Sequence, residues 1–433
     1  MTEGVIGLLG IAALFVLLGL RVPVGMSLLS VGFAGIWVLD DFQAATASLA
    51  AETFSATSSY SLAVIPLFIL MGNIAGEAGY SQRLYDSAHA WVGSFRGGLA
   101  SSTVIGCASF AAVSGSSVAT AVTIGKVALP EMRRYGYADS LATGAVAAGG
   151  TLGILIPPST GFVLYAILTE ESIGKLFMAG IIPGLLLSLL FIAVIYVTTL
   201  IHPEQGSAGP KSSWKEKWLA TVQAAPLLSV ILTSIGGIYI GVFTPEEAAG
   251  VGAFMIMALA LVNRKIRFRD LKPILLGTVR TTAMLYLIII GASVFGPFLT
   301  LTDIPLTLAD ELKGLGLGMY GTLLLILIAY IILGMFFDGL AMLVITLPLV
   351  FPIITGVGFD PIWFGVIAVI VVEMGLITPP VGINVFVVKG IAADVPMSTI
   401  FKGVFPFWLA MAVCLLLLTL FLSLALFLPG QMN

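Results

Sequence analysis

Charge is what this sequence has least of. Only 9% of its 433 residues are Asp, Glu, Lys or Arg, against about 25% in a typical soluble domain, and this excludes a water-soluble globular protein. The 19 Lys and Arg are offset by 22 Asp and Glu for a net charge of -3. No basic surface is left that could neutralise a nucleic-acid backbone, so nucleic acid is excluded as a partner. Cysteine occurs only as Cys107 and Cys414, both in apolar surroundings and without paired spacing. That excludes a disulfide framework and a zinc or haem cluster. His89 and His202 stand alone in polar connections and read as solvated surface side chains. No Ser/His pair, zinc motif or Asp-rich metal motif falls within an apolar stretch, so the chain is not expected to be an enzyme and no cofactor is implied.

What is abundant is hydrocarbon: 59% of the residues are hydrophobic and the mean hydropathy is +1.12. Stretches long enough to cross a bilayer, about 17 residues or more, recur at 4–20, 22–39, 61–77, 138–168, 174–201, 219–241, 245–263, 273–298, 361–389 and 403–429. The first has neither a basic region before it nor a small-residue cleavage site after it, and reads as a retained span. Segments 97–131 and 318–356 each hold two apolar arms around a polar tip, Ser114-Gly115-Ser116-Ser117 and Asp338-Gly339. They are pairs of full spans or re-entrant hairpins, and either way return to the side they left. The expectation is an all-α integral membrane protein of about ten transmembrane helices plus these two hairpins, embedded in a lipid bilayer.

Excess Lys and Arg resist translocation, so the basic loop Arg264-Lys265-Ile266-Arg267-Phe268-Arg269 is expected to be cytoplasmic. Alternation then places Arg21, Arg83, Arg96, Arg133, Arg134, Lys211, Lys215, Lys217, Lys272, Lys389 and Lys402 inside too. Only Lys175 and Lys313 fall outside, among acidic connections that carry Glu52, Glu170, Glu171, Glu246 and Asp360. Both termini are expected on the outer, periplasmic side.

Shifting the sequence by 222 positions lays Pro130 on Pro352, Gly136 on Gly358, Gly153 on Gly375, Pro157-Pro158 on Pro379-Pro380, and Ser116 on Asp338. The first hairpin begins and ends inside and the second outside, so the copies are inverted. Inverted repeats with interrupted helices point to a secondary transporter whose site lies near the bilayer midplane.

Proline has no N–H, so each double proline deprives carbonyls four residues earlier of their helical donors. These are Gly153 and Ile154 before Pro157-Pro158, and Gly375 and Leu376 before Pro379-Pro380. At membrane depth such carbonyls need other partners. They could ligate a dehydrated Na+, or be healed by neighbouring helices or a buried water. Ser116 and Asp338 each precede an apolar helix and can cap it, which also leaves the positive end of a half-helix near the midplane for an ion or a carboxylate. Glu373 lies within a span, where it could carry a coupling proton or hydrogen-bond loose backbone. Lys126 can snorkel to the cytoplasmic end of its arm. Ser159, Tyr165 and Asn384 are candidate substrate contacts, with a buried, satisfied polar group as the alternative.

The motifs Gly-Ile-Leu-Ile-Pro-Pro-Ser (153–159), Ser-Ile-Gly-Lys-Leu-Phe-Met-Ala-Gly-Ile-Ile-Pro-Gly (172–184), Gly-Ile-Tyr-Ile-Gly-Val-Phe-Thr-Pro-Glu-Glu-Ala-Ala (237–249) and Gly-Leu-Ile-Thr-Pro-Pro-Val-Gly-Ile-Asn (375–384) resemble the large membrane subunit of TRAP transporters, the DctM family. The resemblance spans essentially the whole chain. It implies a tripartite, ATP-independent importer in the bacterial inner membrane, with a small four-helix membrane subunit as a separate chain and an extracytoplasmic solute-binding protein that delivers an organic acid. It also implies Na+ as coupling ion and an elevator mechanism. In that scheme 1–77 and 219–298 hold scaffold spans, 97–201 is repeat 1 with broken helix 138–168, and 318–429 is repeat 2 with broken helix 361–389. Carried over to these positions, the family's Na+ sites fall between Ser114, Gly115, Ser116 and Ser117 and the stretch Gly153, Ile154 to Pro157, and between Asp338-Gly339 and the stretch Gly375, Leu376, Thr378 to Pro379. The alternative is an elevator carrier for dicarboxylates or similar anions that works without a binding protein.

Overall fold

A computed structural model describes residues 2–209 and 211–432, apart from the side chain of Lys313, so the placement of that charge lies outside the described residues. Among the described residues the chain is all helical, without strands. In order the α-helices are α1 Glu3–Gly19, α2 Val24–Leu39, α3 Phe42–Ser58, α4 Val64–Glu77, α5 Tyr80–Val92, α6 Gly98–Ser114, α7 Ser117–Arg134, α8 Asp139–Leu155, α9 Thr160–Thr169, α10 Ile173–Ile201, α11 Trp214–Tyr239, α12 Pro245–Val262, α13 Phe268–Leu301, α14 Ile304–Gly314, α15 Gly318–Gly334, α16 Gly339–Gly356, α17 Pro361–Leu376, α18 Ile383–Ile391, α19 Met397–Leu420 and α20 Ser423–Leu426.

Local chemistry sets many of the boundaries. Ser213 and Thr244 begin α11 and α12 with reciprocal capping boxes to Glu216 and Glu247. Asp360 caps α17 by accepting from Trp363 N–H at 2.9 Å, with Pro361 in the first helical position where its missing donor is harmless.

Seven helices are long and apolar enough to cross a membrane, or eight when α8 and α9, bent by 40° at their break, count as one span. Of the expected spans, α1 and α2 are shorter, at 17 and 16 residues, because Arg21 in a left-handed conformation (φ 65°) and Pro23 turn the chain tightly between them; 361–389 is also divided, into α17 of 16 residues and α18 of 9, whereas α16, expected as a hairpin arm, is one of the seven. The last expected span, 403–429, is α19 ending at Leu420 followed by the short α20.

Three stretches read as connections are helical. Residues 42–58 form α3, 80–92 form α5, which carries His89, and 304–314 form α14. α5 buries Tyr80, Ser81, Leu84, Tyr85 and Ala88, a stripe at helical spacing along a helix too polar to cross a bilayer.

These additions extend the repeat over nearly the whole chain. At an offset close to 222, α2 matches α12, α5 matches α14, α6 and α7 match α15 and α16, α8 and α9 match α17 and α18, and α10 matches α19. The long α13 answers to α3 plus α4, broken at Ser59.

The helices pack as two groups. α2 lies along α13 so closely that a Cβ on Gly25 would come 2.5 Å from the Leu287 carbonyl oxygen; α4 packs on α12 and α13, and α11 on α12. In the other group α8 is enclosed by α6, α7, α10 and α19, and α17 by α15, α16, α10 and α19.

Candidate ion and substrate site

Each polar tip ends against the break of its own repeat. α8 starts level with the base of hairpin α6–α7, where Arg133 pairs with Asp139 at 3.3 Å. Both arms and α8 are 17 or 18 residues long, so the tip and the end of α8 reach the same depth. α9 then continues for a further 10 residues, which makes the hairpin re-entrant.

At the first tip Gly115 has φ 59°, a left-handed turn that admits glycine without strain. Its carbonyl accepts from the Thr160 N–H at 3.3 Å and the Thr160 hydroxyl at 2.7 Å, which fastens the tip to the start of α9. A Cβ on Gly153 would lie 2.5 Å from the Ser116 carbonyl oxygen and 2.8 Å from Thr120 Oγ1. Glycine is therefore what allows tip and break to meet. Ser116 caps α7 by accepting from Ala119 N–H at 3.4 Å, and Ser114 shares a 2.7 Å hydrogen bond with Thr120.

At the second tip Asp338 caps α16, accepting from Leu340 N–H at 3.2 Å. A Cβ on Gly375 would lie 2.5 Å from Gly334 Cα, and one on Gly339 would lie 2.8 Å from Val372. Both double prolines contain a cis peptide bond.

The carbonyls divide differently from the expectation. Ile154 is not free, because the Ser159 hydroxyl donates to it while capping α9 by accepting from Phe162 N–H at 3.1 Å. Gly375 is not free either: the break tightens into a turn in which Thr378 N–H donates to the Gly375 carbonyl at 3.0 Å. Gly153 and Leu376 are the two without a donor among the described residues. Thr378 is itself engaged, donating to the Met374 carbonyl at 2.5 Å and accepting from Trp408 Nε1 at 3.0 Å.

Of the three candidate substrate contacts, Ser159 is occupied as described. Tyr165 is fully buried and donates to the Pro361 carbonyl at 2.7 Å, a structural bond between the repeats. Asn384 stands apart: it is 0% exposed, and neither Oδ1 nor Nδ2 has a hydrogen-bond partner among the described residues. A buried amide with both ends unpaired is rare in a folded protein and calls for a partner, whether a water, an ion or a solute. α18 runs beside α7 in the same direction, since Ile391 lies against Gly125 and Asp394 bonds Arg133 at 2.8 Å. Seven residues back, about 10 Å at the helical rise, Asn384 comes level with the first tip.

Among the described residues Glu373 bonds a side chain rather than loose backbone. Its Oε1 accepts from the Ser117 hydroxyl at 2.6 Å, and Oε2 has no partner. Lys126 is exposed, as a snorkelling side chain would be. Thr120, Thr160 and Trp408 are contributors that motif spacing did not single out. For the two threonines the available signal was a hydroxyl in the first turn after a tip or a double proline.

The family model for the DctM component of the tripartite ATP-independent periplasmic transporters matches residues 11–424. The C4-dicarboxylate TRAP transporter large permease protein DctM of Pseudomonas aeruginosa is 41% identical over 390 residues, covering 89% of this chain and 90% of that protein. The sialic acid TRAP transporter large permease protein SiaM of Vibrio cholerae is 33% identical, covering 94% of each. Among solved structures, the YdaH transporter of Alcanivorax borkumensis superposes with a TM-score of 0.61 over 87% of both chains at 15% identity, a likeness of fold alone.

Proposed function

The chain belongs to the DctM family of large permease subunits of tripartite ATP-independent periplasmic transporters, and from that premise we propose that it imports an organic acid across the bacterial inner membrane, driven by Na+. It is a transporter and not an enzyme.

The observation that carries the reading is the seating of each hairpin tip against the glycine of its own break, which leaves one unpaired carbonyl at each, Gly153 and Leu376. Hard, uncharged oxygens beside a half-helix end suit a dehydrated Na+. In the first site Gly153 would be joined by Ser114, Ser116 and Thr120 at the tip; in the second, Leu376 would be joined by the Asp338 carboxylate at the other tip. Asn384, able to donate and to accept, would orient the acid beside them. The group built around α8 and α17 would then move as the elevator against α2, α4, α11, α12 and α13.

The relatives' names include a C4-dicarboxylate and sialic acid. Their common feature is a carboxylate, which supports an organic acid as the class. A small membrane subunit and an extracytoplasmic binding protein complete the system. Reconstituted alone, this chain should show no concentrative uptake, and adding the small subunit and loaded binding protein should restore it. Robust Na+-driven accumulation by the lone chain would instead identify a carrier that needs no binding protein.

The basic loop orients the chain. Phe268, the first residue of α13, is 82% exposed, and the native Cys107 and Cys414 are buried. With Phe268→Cys as the accessible thiol, an impermeant reagent should label inverted membrane vesicles and leave intact cells unlabelled; labelling of intact cells would reverse the topology.

A further inference from the structure

Side-chain hydrogen bonds tie repeat 1 to repeat 2 at three places among the described residues. Tyr165 bonds the Pro361 carbonyl at one end, Arg133 bonds Asp394 at the other, and Ser117 bonds Glu373 between them. The end bonds have ready structural reasons. Tyr165 needs a partner for a buried hydroxyl. The Arg133–Asp394 pair is exposed, and the guanidinium holds the Asp394 carboxyl below the usual carboxylate range.

The central bond is different in kind. Ser117 is 2% exposed and Glu373 1% exposed, and a carboxyl at this depth, with one oxygen unpartnered, is costly to keep. Its two ends are also the informative ones. Ser117 follows Ser116, whose carbonyl lies against Gly153, and Glu373 follows Val372, which touches Gly339, and precedes Gly375, which touches Gly334. One hydrogen bond therefore joins the first tip and break to the second tip and break.

We propose that Glu373 is a positioning residue that couples the two cation sites, so that settling of the first tip by an ion sets the second break for its own. This rests on the reading of two Na+ sites given above. Coupling of this kind requires a contact that differs between the ion-bound and ion-free arrangements and is felt by both sites. A helix start at one end and a helix end at the other transmit a displacement through Ser117 and Glu373 without an intervening loop.

The test is the Na+ dependence of uptake by the complete tripartite system in liposomes, with choline replacing Na+ at constant ionic strength. The native protein should respond sigmoidally. Glu373→Gln keeps the reach and the acceptor and should remain as steep as the native protein. Glu373→Asp keeps the charge but draws the carboxyl back from Ser117, and should respond less steeply, with a Hill coefficient reduced to that of two independent sites and a higher half-saturating Na+ concentration. Glu373→Met should behave like Glu373→Asp, and if it does not fold the Gln and Asp pair still decides. Loss of steepness in Gln with retention in Asp would mean that charge matters and the bond does not, which overturns the proposal. A Na+-dependent but hyperbolic native response overturns it while leaving the sodium reading intact. A native response without Na+ dependence removes both.

Discussion

Alanine at Gly153 or Gly375 should abolish uptake in protein that still reaches the membrane. The new methyl group at Gly153 would meet the Ser116 carbonyl oxygen at 2.5 Å and its carbon at 2.7 Å; at Gly375 it would meet Gly334 Cα at 2.5 Å. In both cases the obstacle is backbone, which has no rotamer with which to retreat. The tip must lift from the break, and over-packing of this sort costs about 1–3 kcal/mol, too little to unfold the helices around it. What is lost is the place where tip and break share an ion. Gly390, in α18 of the second broken helix, is the control: nothing lies within 4 Å of a Cβ there, so Gly390→Ala should transport normally. Uptake at native levels by Gly153→Ala and Gly375→Ala would show that tip and break need not touch.

The second large effect is expected at Asp338. Asp338→Ala removes a helix cap worth about 1 kcal/mol and also a carboxylate at the tip. The two losses separate in measurement. Loss of the cap lowers thermal stability and leaves the Na+ concentration for half-maximal uptake nearly unchanged; loss of a ligand raises that concentration even in protein of normal stability. A raised concentration, by about tenfold or more, is expected, since one hydrogen bond or ligand to a charged group contributes about 1.5–3 kcal/mol. Ser116→Ala should move it in the same direction by less, because a hydroxyl adds no charge. Native Na+ dependence in both variants at matched expression would confine the tips to capping.

Much of this was legible in the sequence because hydrocarbon thickness and proline chemistry are local rules. The double prolines marked both breaks, and Ser116 and Asp338 announced both tips, from residue type alone. The amphipathic α5 was hidden by its composition: Gln82, Arg83, Asp86 and His89 mask a stripe that lies against α6 and α11. Counting missing N–H groups found the right carbonyls but not the substitutes. The Ser159 hydroxyl reaches back five residues to Ile154, and the turn at Thr378 supplies Gly375 from its own backbone. Ser117 and Glu373 are 256 positions apart, and no periodicity brings such a pair together. The unpaired amide of Asn384 was visible as a polar residue in an apolar segment, but its isolation is a property of packing.

The offset of 222 also bears on direction. Two copies of one half that face opposite ways cannot both be oriented by one shared pattern of Lys and Arg, because excess Lys and Arg resist translocation. The positions agree. Arg21, Arg83, Arg96, Arg133 and Arg134 in the first half align with Phe243, Pro305, Gly318, Thr355 and Gly356 in the second, so none of these charges has a counterpart. The basic residues thus belong to each half separately: they differ where the fold of the two halves is shared, and they carry the direction that the repeated fold leaves open.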